Sequence, residues 1–143
     1  MDLTEKDEHL IALLRKDGRL SVSEIARRLN VSRTAAQMRL QKLERNGVIE
    51  GYTVNLSAQY LQNRVRALVM IKFPPGKRGG IEKSLDDIPE VKSLYSISGT
   101  FDLAAIISSG SMAKLDATID KIGLLEGIGE TMSSIILSTK IDR

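Results

Sequence analysis

The sequence predicts an α+β protein with two domains, in which three helices precede a second domain of order βαββαβ. Three observations support this fold class. Residues 1–50 carry apolar side chains at helical spacing behind capping residues. Residues 51–63 form a connector, with a short strand followed by polar residues. Residues 64–143 alternate apolar runs of strand length with two helical segments.

The first two helices are predicted over about Glu5–Lys16 and Val22–Leu29, each with apolar residues on one face. A residue just before each helix and an acidic residue in its first turn have the spacing of a capping box. The two pairs are Thr4 with Asp7 and Ser21 with Glu24. Asp17-Gly18 ends the first helix, and Asn30, which tolerates the left-handed conformation, ends the second.

The third helix is capped by Ser32 and is expected to run to about Asn46. The short "LNVS" link makes helices two and three a helix-turn-helix. On a helical wheel, one face of the third helix is apolar and is expected to point inward with two residues that follow the helix. These inward residues are Ala36, Leu40, Leu43, Val48 and Ile49.

The outward face of the third helix is polar and cationic. From Arg27 to Arg45 the chain carries six cationic side chains against one acidic one, a net charge of +5. The second helix of a helix-turn-helix enters the major groove of double-stranded DNA. We expect base-edge contacts from Arg33, Thr34, Gln37, Met38 and Gln41, and phosphate contacts from Arg39, Lys42 and Arg45, with Ser32 at the start of the helix. A solvated three-helix module that binds protein is the alternative.

The second half has the element order of a ferredoxin-like βαββαβ domain. Strands are predicted at 64–73, 91–98, 102–108 and 130–141, and helices at 81–87 and 111–123, the latter capped by Ser111. Two helices cover only one face of such a sheet. The other face also carries apolar residues, which predicts self-association; a few scattered exposed side chains are the alternative. These residues are Leu68, Met70, Ala104, Ile106, Met132 and Ile136.

Several classes of function lack the residues they need. The chain has no Cys and only one His, which excludes thiolate metal sites and a Cys nucleophile. Aromatic residues make up 3%, too few for stacking on unpaired bases. We expect no cofactor, no catalytic site and no membrane span. The acidic N-terminus is unlike a secretory signal, and a cytoplasmic location is expected.

Residues 10–52 resemble the N-terminal domain of the Lrp/AsnC, or feast/famine, family of transcriptional regulators. The matching marks are "DGR" at 17–19, "EIARRLNVS" at 24–32, Arg39, "LE" at 43–44 and "GVIEGY" at 47–52. In the second half, "IPEVKSLYSISGTFDL" and "LLEGIGETMSSIILST" resemble the effector domain of that family, including its Gly-x-x-Asp turn at Gly99 and Asp102.

The resemblance implies a winged-helix-like domain that binds specific DNA sequences, and a homodimer formed by packing of sheets, often assembled further into an octamer. It also implies an amino acid or related effector near the Gly-x-x-Asp turn. The residues expected to border it are Ser98, Gly99, Thr100, Asp102, Met132, Ser133 and Ser134. Taken alone, without the resemblance, the turn is better explained as a structural hairpin.

Two other functions remain possible for this fold from the sequence. One is an architectural nucleoid protein that wraps DNA with little sequence preference. The other is an enzyme, because some relatives are sirohaem decarboxylases. Those enzymes use His in the second domain, where this chain has none, and His9 lies in the first helix.

Overall fold

The computed structural model describes all 143 residues, which form two compact units, Met1–Asn55 and Leu56–Arg143. The predicted fold class is confirmed: three helices with a helix-turn-helix come first, and an α+β unit with an antiparallel sheet follows. None of the helices has the length and apolar character needed to cross a membrane.

The first unit contains three helices, α1 at Glu5–Lys16, α2 at Val22–Leu29 and α3 at Arg33–Arg45. Their caps follow the predictions with one exception. The Thr4 and Asp7 side chains each accept a hydrogen bond from the other's backbone N–H, which completes a capping box. Ser21 accepts from the backbone N–H of Glu24, but the Glu24 carboxylate bonds to arginines instead, so the second predicted box is only half formed.

The core of the first unit lies where the three helices cross. The buried side chains come from all three helices and are Leu10, Ile25, Ala26, Leu29, Ala36 and Leu43. Leu40 and Ile49 pack against this core, but Val48 is 38% exposed, so its predicted inward position is wrong. Gly47 turns the chain with φ of 73°. The helical spacing that defines the inward face of α3 therefore does not extend to Val48.

The short strand predicted near the start of the connector does not form in this chain. Residues 51–57 have no regular secondary structure. Tyr52, Val54 and Leu56, which carried the alternating pattern, are 54%, 75% and 51% exposed. A strand needs a neighbouring strand for its backbone hydrogen bonds, and the alternation of side chains alone does not supply one.

The second unit is a four-stranded antiparallel sheet with two helices in its connections. Its elements are β1 at Val65–Lys72, α4 at Arg78–Asp86, β2 at Val91–Ser96, β3 at Leu103–Ser109, α5 at Met112–Gly123 and β4 at Glu130–Ile136. The strand order is β2-β3-β1-β4, as the βαββαβ pattern requires. α4 begins earlier than predicted, and β4 ends five residues before the predicted end at 141.

The sheet separates a buried face from an open one. Alternate residues of the two central strands, such as Val69 and Ala105, are fully buried in one cluster with Leu85 of α4 and Leu115 and Ile122 of α5. The residues between them point to the face without helices. There, Leu68 lies opposite Ile106 and Ser134, and Met70 lies opposite Ala104 and Met132. The predicted second apolar face is thus present.

Candidate DNA-binding face and effector turn

The turn between α2 and α3 fixes how α3 is presented. Asn30 adopts the left-handed conformation, with φ of 56° and ψ of 48°, and ends α2. The backbone N–H of Val31 then donates to the Ala26 carbonyl at 3.0 Å, and Val31 packs against the core. The Ser32 hydroxyl accepts from the N–H of Ala35 at 3.1 Å and starts α3. These bonds and the packing of Val31 hold α3 with its inner face on the core, and its outer face is exposed to solvent.

Most of the predicted DNA-contacting residues lie on that exposed face. The exposed ones are Ser32, Arg33, Thr34, Met38, Gln41, Lys42 and Arg45. Met38 is 64% exposed and places one large apolar side chain on this face. Gln37 is half-buried at the edge of the face. Side chains of this length and polarity suit the donor and acceptor pattern of the major groove.

Arg39, predicted to contact phosphate, has partners within its own unit. Its guanidinium donates to the Asp7 carboxylate at 2.7 Å and to the Thr4 hydroxyl at 2.8 Å. Asp7 is only 2% exposed, while the Arg39 side chain is 25% exposed. The bonds tie the middle of α3 to the start of α1. The structure therefore gives Arg39 partners within its own unit, while its contact with phosphate stays a prediction.

Two of the six cations counted between Arg27 and Arg45 are neutralised by an acidic residue outside that range. Glu24, which lies just before the basic run, forms ion pairs with both Arg27 and Arg28. The hydrogen bonds from Arg27 and then Arg28 lower the pKa of the Glu24 carboxyl to about 2. The cations without such partners lie on α3 itself: Arg33, Lys42 and Arg45. Positive charge is thus concentrated on one helix.

The Gly-x-x-Asp turn in the second unit is held by backbone and side-chain bonds. Gly99 has φ of 105°, a conformation that side chains rarely adopt. The Asp102 N–H donates to the Ile71 carbonyl at 2.8 Å, and one Asp102 carboxylate oxygen accepts from the Phe73 N–H at 3.0 Å. Asp102 therefore has a structural role in joining the turn to β1. Its other carboxylate oxygen forms no protein hydrogen bond.

The remaining predicted effector residues lie at the same end of the sheet but on another strand. β4 is separated from β3 by β1, so Met132 and the turn are about 10 Å apart at a strand spacing of about 4.8 Å. Met132 and Ser134 point to the open face, whereas Ser133, paired with the buried Val69, points to the other. Ser133 thus does not share a face with Met132 and Ser134 in this chain.

Comparison with known proteins agrees with this architecture. A sequence model described as winged helix-turn-helix DNA-binding matches residues 3–50, and one described as the Lrp/AsnC ligand binding domain matches residues 66–143. The chain belongs to the Lrp/AsnC family. As an Lrp/AsnC protein, it combines a DNA-binding helix-turn-helix domain with a ligand-binding domain, and its relatives are transcriptional regulators.

Individual relatives of this Lrp/AsnC chain match it over almost its whole length. The HTH-type transcriptional regulator LysM of Saccharolobus solfataricus is 32% identical over 139 residues, covering 96% of each chain. AsnC of E. coli has the same fold, with a TM-score of 0.89 and 22% identity over 100% of this chain and 97% of that one. A transcriptional regulator of Neisseria meningitidis in complex with L-methionine has a TM-score of 0.85 and 24% identity, covering 96% and 91%.

Sequence reasoning missed the second role of Asp7. The capping spacing with Thr4 was visible, but the bond to Arg39 joins residues 32 positions apart in two helices. Nothing in the spacing of these residues signals that contact. The buried position of Asp7, a residue type that is seldom buried unpaired, is the feature that reveals it.

Proposed function

We propose that this chain is a transcriptional regulator that recognises specific DNA sequences with α3 and responds to an amino acid or a related small molecule. The observation that carries the first part is the outer face of α3. It is polar, exposed and cationic, and the helix is anchored from behind by Ala36, Leu43 and the Arg39–Asp7 pair. A rigid helix with a free polar face is what major-groove recognition requires.

The exposed side chains of α3 divide into two groups by chemistry. Arg33 and Gln41 have donors that suit base edges, and Thr34 and Met38 suit contacts with thymine methyl groups. Lys42 and Arg45 lie toward the end of the helix, where charge serves phosphate neutralisation. The Arg39 guanidinium is left out of this second group because Asp7 already holds it.

Binding to DNA of several sequences tests this assignment. Lys42→Ala should weaken binding to all sequences by a similar factor and reduce the salt slope by about one unit. Gln41→Ala should change the order of preference among sequences, with about 1–3 kcal/mol lost at its preferred base pair. Fluorescence anisotropy against a selected site and shuffled controls measures both.

A matched control is Lys83→Ala in α4, which removes one exposed lysine from the other unit. If the Lys42 and Lys83 variants bind alike, α3 is not the DNA-binding helix. If wild-type protein binds all sequences with equal affinity, an architectural DNA-wrapping role replaces the sequence-specific one.

The effector proposal rests on the turn that contains Gly99 and Asp102. The free carboxylate oxygen of Asp102 suits a ligand ammonium, and backbone N–H groups near Gly99 suit a ligand carboxylate. The Neisseria protein of the same fold binds L-methionine, which has both groups. One cavity of about 500 Å³ lies in the second unit and one of about 590 Å³ lies in the first. Residues of the turn line neither of them. A second copy of the chain is therefore proposed to complete the site.

A pair of substitutions at Asp102 separates folding from sensing. Asn keeps an oxygen that accepts from the Phe73 N–H, so Asp102→Asn should melt close to wild type. Loss of the charge should weaken a ligand ammonium contact by about 1.5–3 kcal/mol, roughly ten- to a hundredfold. Asp102→Ala should lose both the ligand contact and stability.

A thermal-shift screen of the twenty amino acids, followed by titration of the best one, provides the measurement. A ligand at a hundredfold excess over its Kd stabilises the folded state by about 2.7 kcal/mol. Unchanged binding of that amino acid by Asp102→Asn would show that the turn is purely structural.

A further inference from the structure

A cationic cavity lies at the end of the sheet opposite the effector turn. It encloses about 500 Å³, which is within the usual range for small-molecule sites. Ser109 ends β3, whereas Asp102 directly precedes it, so the two are about 23 Å apart at about 3.3 Å per residue. This cavity is separate from the Gly99 turn and from α3.

The charges that line this cavity are nearly all of one sign. Its four cations come from three parts of the second unit, and they are Arg64, Lys92, Lys114 and Lys121. Glu90 is the one acidic residue in the lining, which leaves a net charge of +3. None of the four cations pairs with a carboxylate of this chain. Such a concentration of unpaired charge around a concave surface attracts anions.

α5 presents two of these cations together. Lys114 and Lys121 are seven residues apart, about two turns, so they lie on one face of the helix with Ala117 and Thr118 between them. Both lysines are exposed, while Thr118 is 7% exposed and its hydroxyl donates to the Lys114 carbonyl at 3.0 Å. The helix surface facing the cavity therefore has a buried Thr118 at its centre and exposed ammonium groups on either side.

Two buried serines at the end of β3 line the cavity, with side chains that point to opposite faces of the sheet. Ser108 is 8% exposed, and its hydroxyl accepts from Nε of Arg64 at 3.2 Å. Ser109 is 3% exposed, and its hydroxyl has no hydrogen-bond partner in the protein. A buried hydroxyl without a partner is costly and uncommon. A ligand oxygen bound in the cationic cavity would supply such a partner.

We propose that this cavity binds a small phosphate-bearing molecule, as a second ligand site distinct from the amino-acid effector site. Lysine ammonium groups supply point charges for the phosphate oxygens, the guanidinium of Arg64 supplies paired donors, and the Ser109 hydroxyl supplies a neutral donor. No apolar stripe or aromatic side chain lines the cavity, so a charged group is the part of the ligand that is recognised.

Pyrophosphate is the probe, titrated calorimetrically into the full chain in phosphate-free buffer at constant ionic strength. We expect saturable binding by the wild type. The double variant Lys114→Gln/Lys121→Gln should bind at least about tenfold more weakly, because it removes two charge-assisted contacts. The matched control Lys83→Gln/Lys140→Gln has the same change in net charge on exposed lysines outside the cavity. It should bind like wild type.

Ser109→Ala distinguishes a ligand contact from a structural role. The free variant should melt at the same or a higher temperature, because it removes a buried hydroxyl that lacks a partner. Its affinity for pyrophosphate should fall about threefold or more. A variant that is destabilised and binds pyrophosphate unchanged would assign Ser109 to the fold and overturn its ligand role.

Two other outcomes would overturn the proposal. In one, wild type fails to bind pyrophosphate at about 10 mM, or the cavity and control variants bind it equally. In the other, pyrophosphate does not bind, but the cavity variant alone loses affinity for duplex DNA. The phosphate group would then belong to a DNA backbone and not to a small molecule.

Discussion

At the scale of the single residue, Arg39 joins two helices of the first unit. Its bond to the buried Asp7 carboxylate joins α3 to the start of α1, with Thr4 completing the network. The backbone N–H of Thr4, and then Arg39, hold the pKa of Asp7 below its usual value of 3.8 against the opposing effect of burial. The charged pair therefore stabilises the folded unit at neutral pH. It also fixes the rotation of α3, which decides which side chains face outward.

Arg39→Ala should destabilise the first unit by about 2–4 kcal/mol at pH 7, because it leaves the Asp7 carboxylate buried without its cation. Arg45→Ala, on the exposed face of the same helix, should change stability by less than about 0.5 kcal/mol. Urea denaturation of the full chain compares the two. Equal effects of the two substitutions would contradict a positioning role for Arg39.

The same comparison at low pH tests the charge on Asp7. Its folded pKa is depressed, so its stabilising contribution is present above 3.8 and is lost as pH falls through the folded value. The difference between wild type and Arg39→Ala should therefore shrink below about pH 4. A difference that is constant down to pH 2 would show that packing, not charge, explains the loss.

At the level of the element, the turn between α2 and α3 depends on one backbone conformation. Asn30 is the only residue other than glycine with a positive φ. Asn30→Gly should leave stability nearly unchanged, whereas Asn30→Ala should cost about 1 kcal/mol, because Ala keeps the Cβ but lacks the short polar side chain through which Asn tolerates the left-handed conformation. Thermal melting measures both variants, and DNA affinity measured well below the melting temperature should be similar in the two. If Ala is tolerated as well as Gly, the left-handed turn does not constrain the motif.

Helix starts with a local capping signal were predictable from the sequence, and the start of α4, which has no such signal, was not. Thr4, Ser32 and Ser111 all cap helices as predicted. α4 begins after Lys77, which makes no side-chain capping bond, and its predicted start was late. The site residues follow the same division. The outward face of α3 follows from helical periodicity, whereas the partners of Arg39 and Asp102 depend on contacts between distant segments.

At the scale of the whole molecule, the open face of the sheet is an apolar surface that the helices of the chain do not cover. Arg66 and Ser108 lie at one end of this face, and Leu68, Met70 and Ile106 lie near its centre. The two helices lie on the opposite face, where the core is. Sheets with two apolar faces pack against a second layer on each. We infer that a second copy of the chain covers the open face.

Leu68→Glu tests this inference directly, because Leu68 lies on a central strand, opposite Ile106 and Ser134. A buried carboxylate in an apolar interface costs several kcal/mol, so the variant should sediment as a monomer at micromolar concentration, where wild type is expected to sediment as a dimer or larger. Leu124→Glu, at a side chain that is 86% exposed after α5, introduces the same charge outside the sheet and should leave assembly unchanged. Each α3 would then bind DNA alone, so the Leu68 variant should also lose affinity for a site with two half-sites while retaining weak binding to one. A dimeric Leu68→Glu protein would mean that assembly, if it occurs, uses another surface.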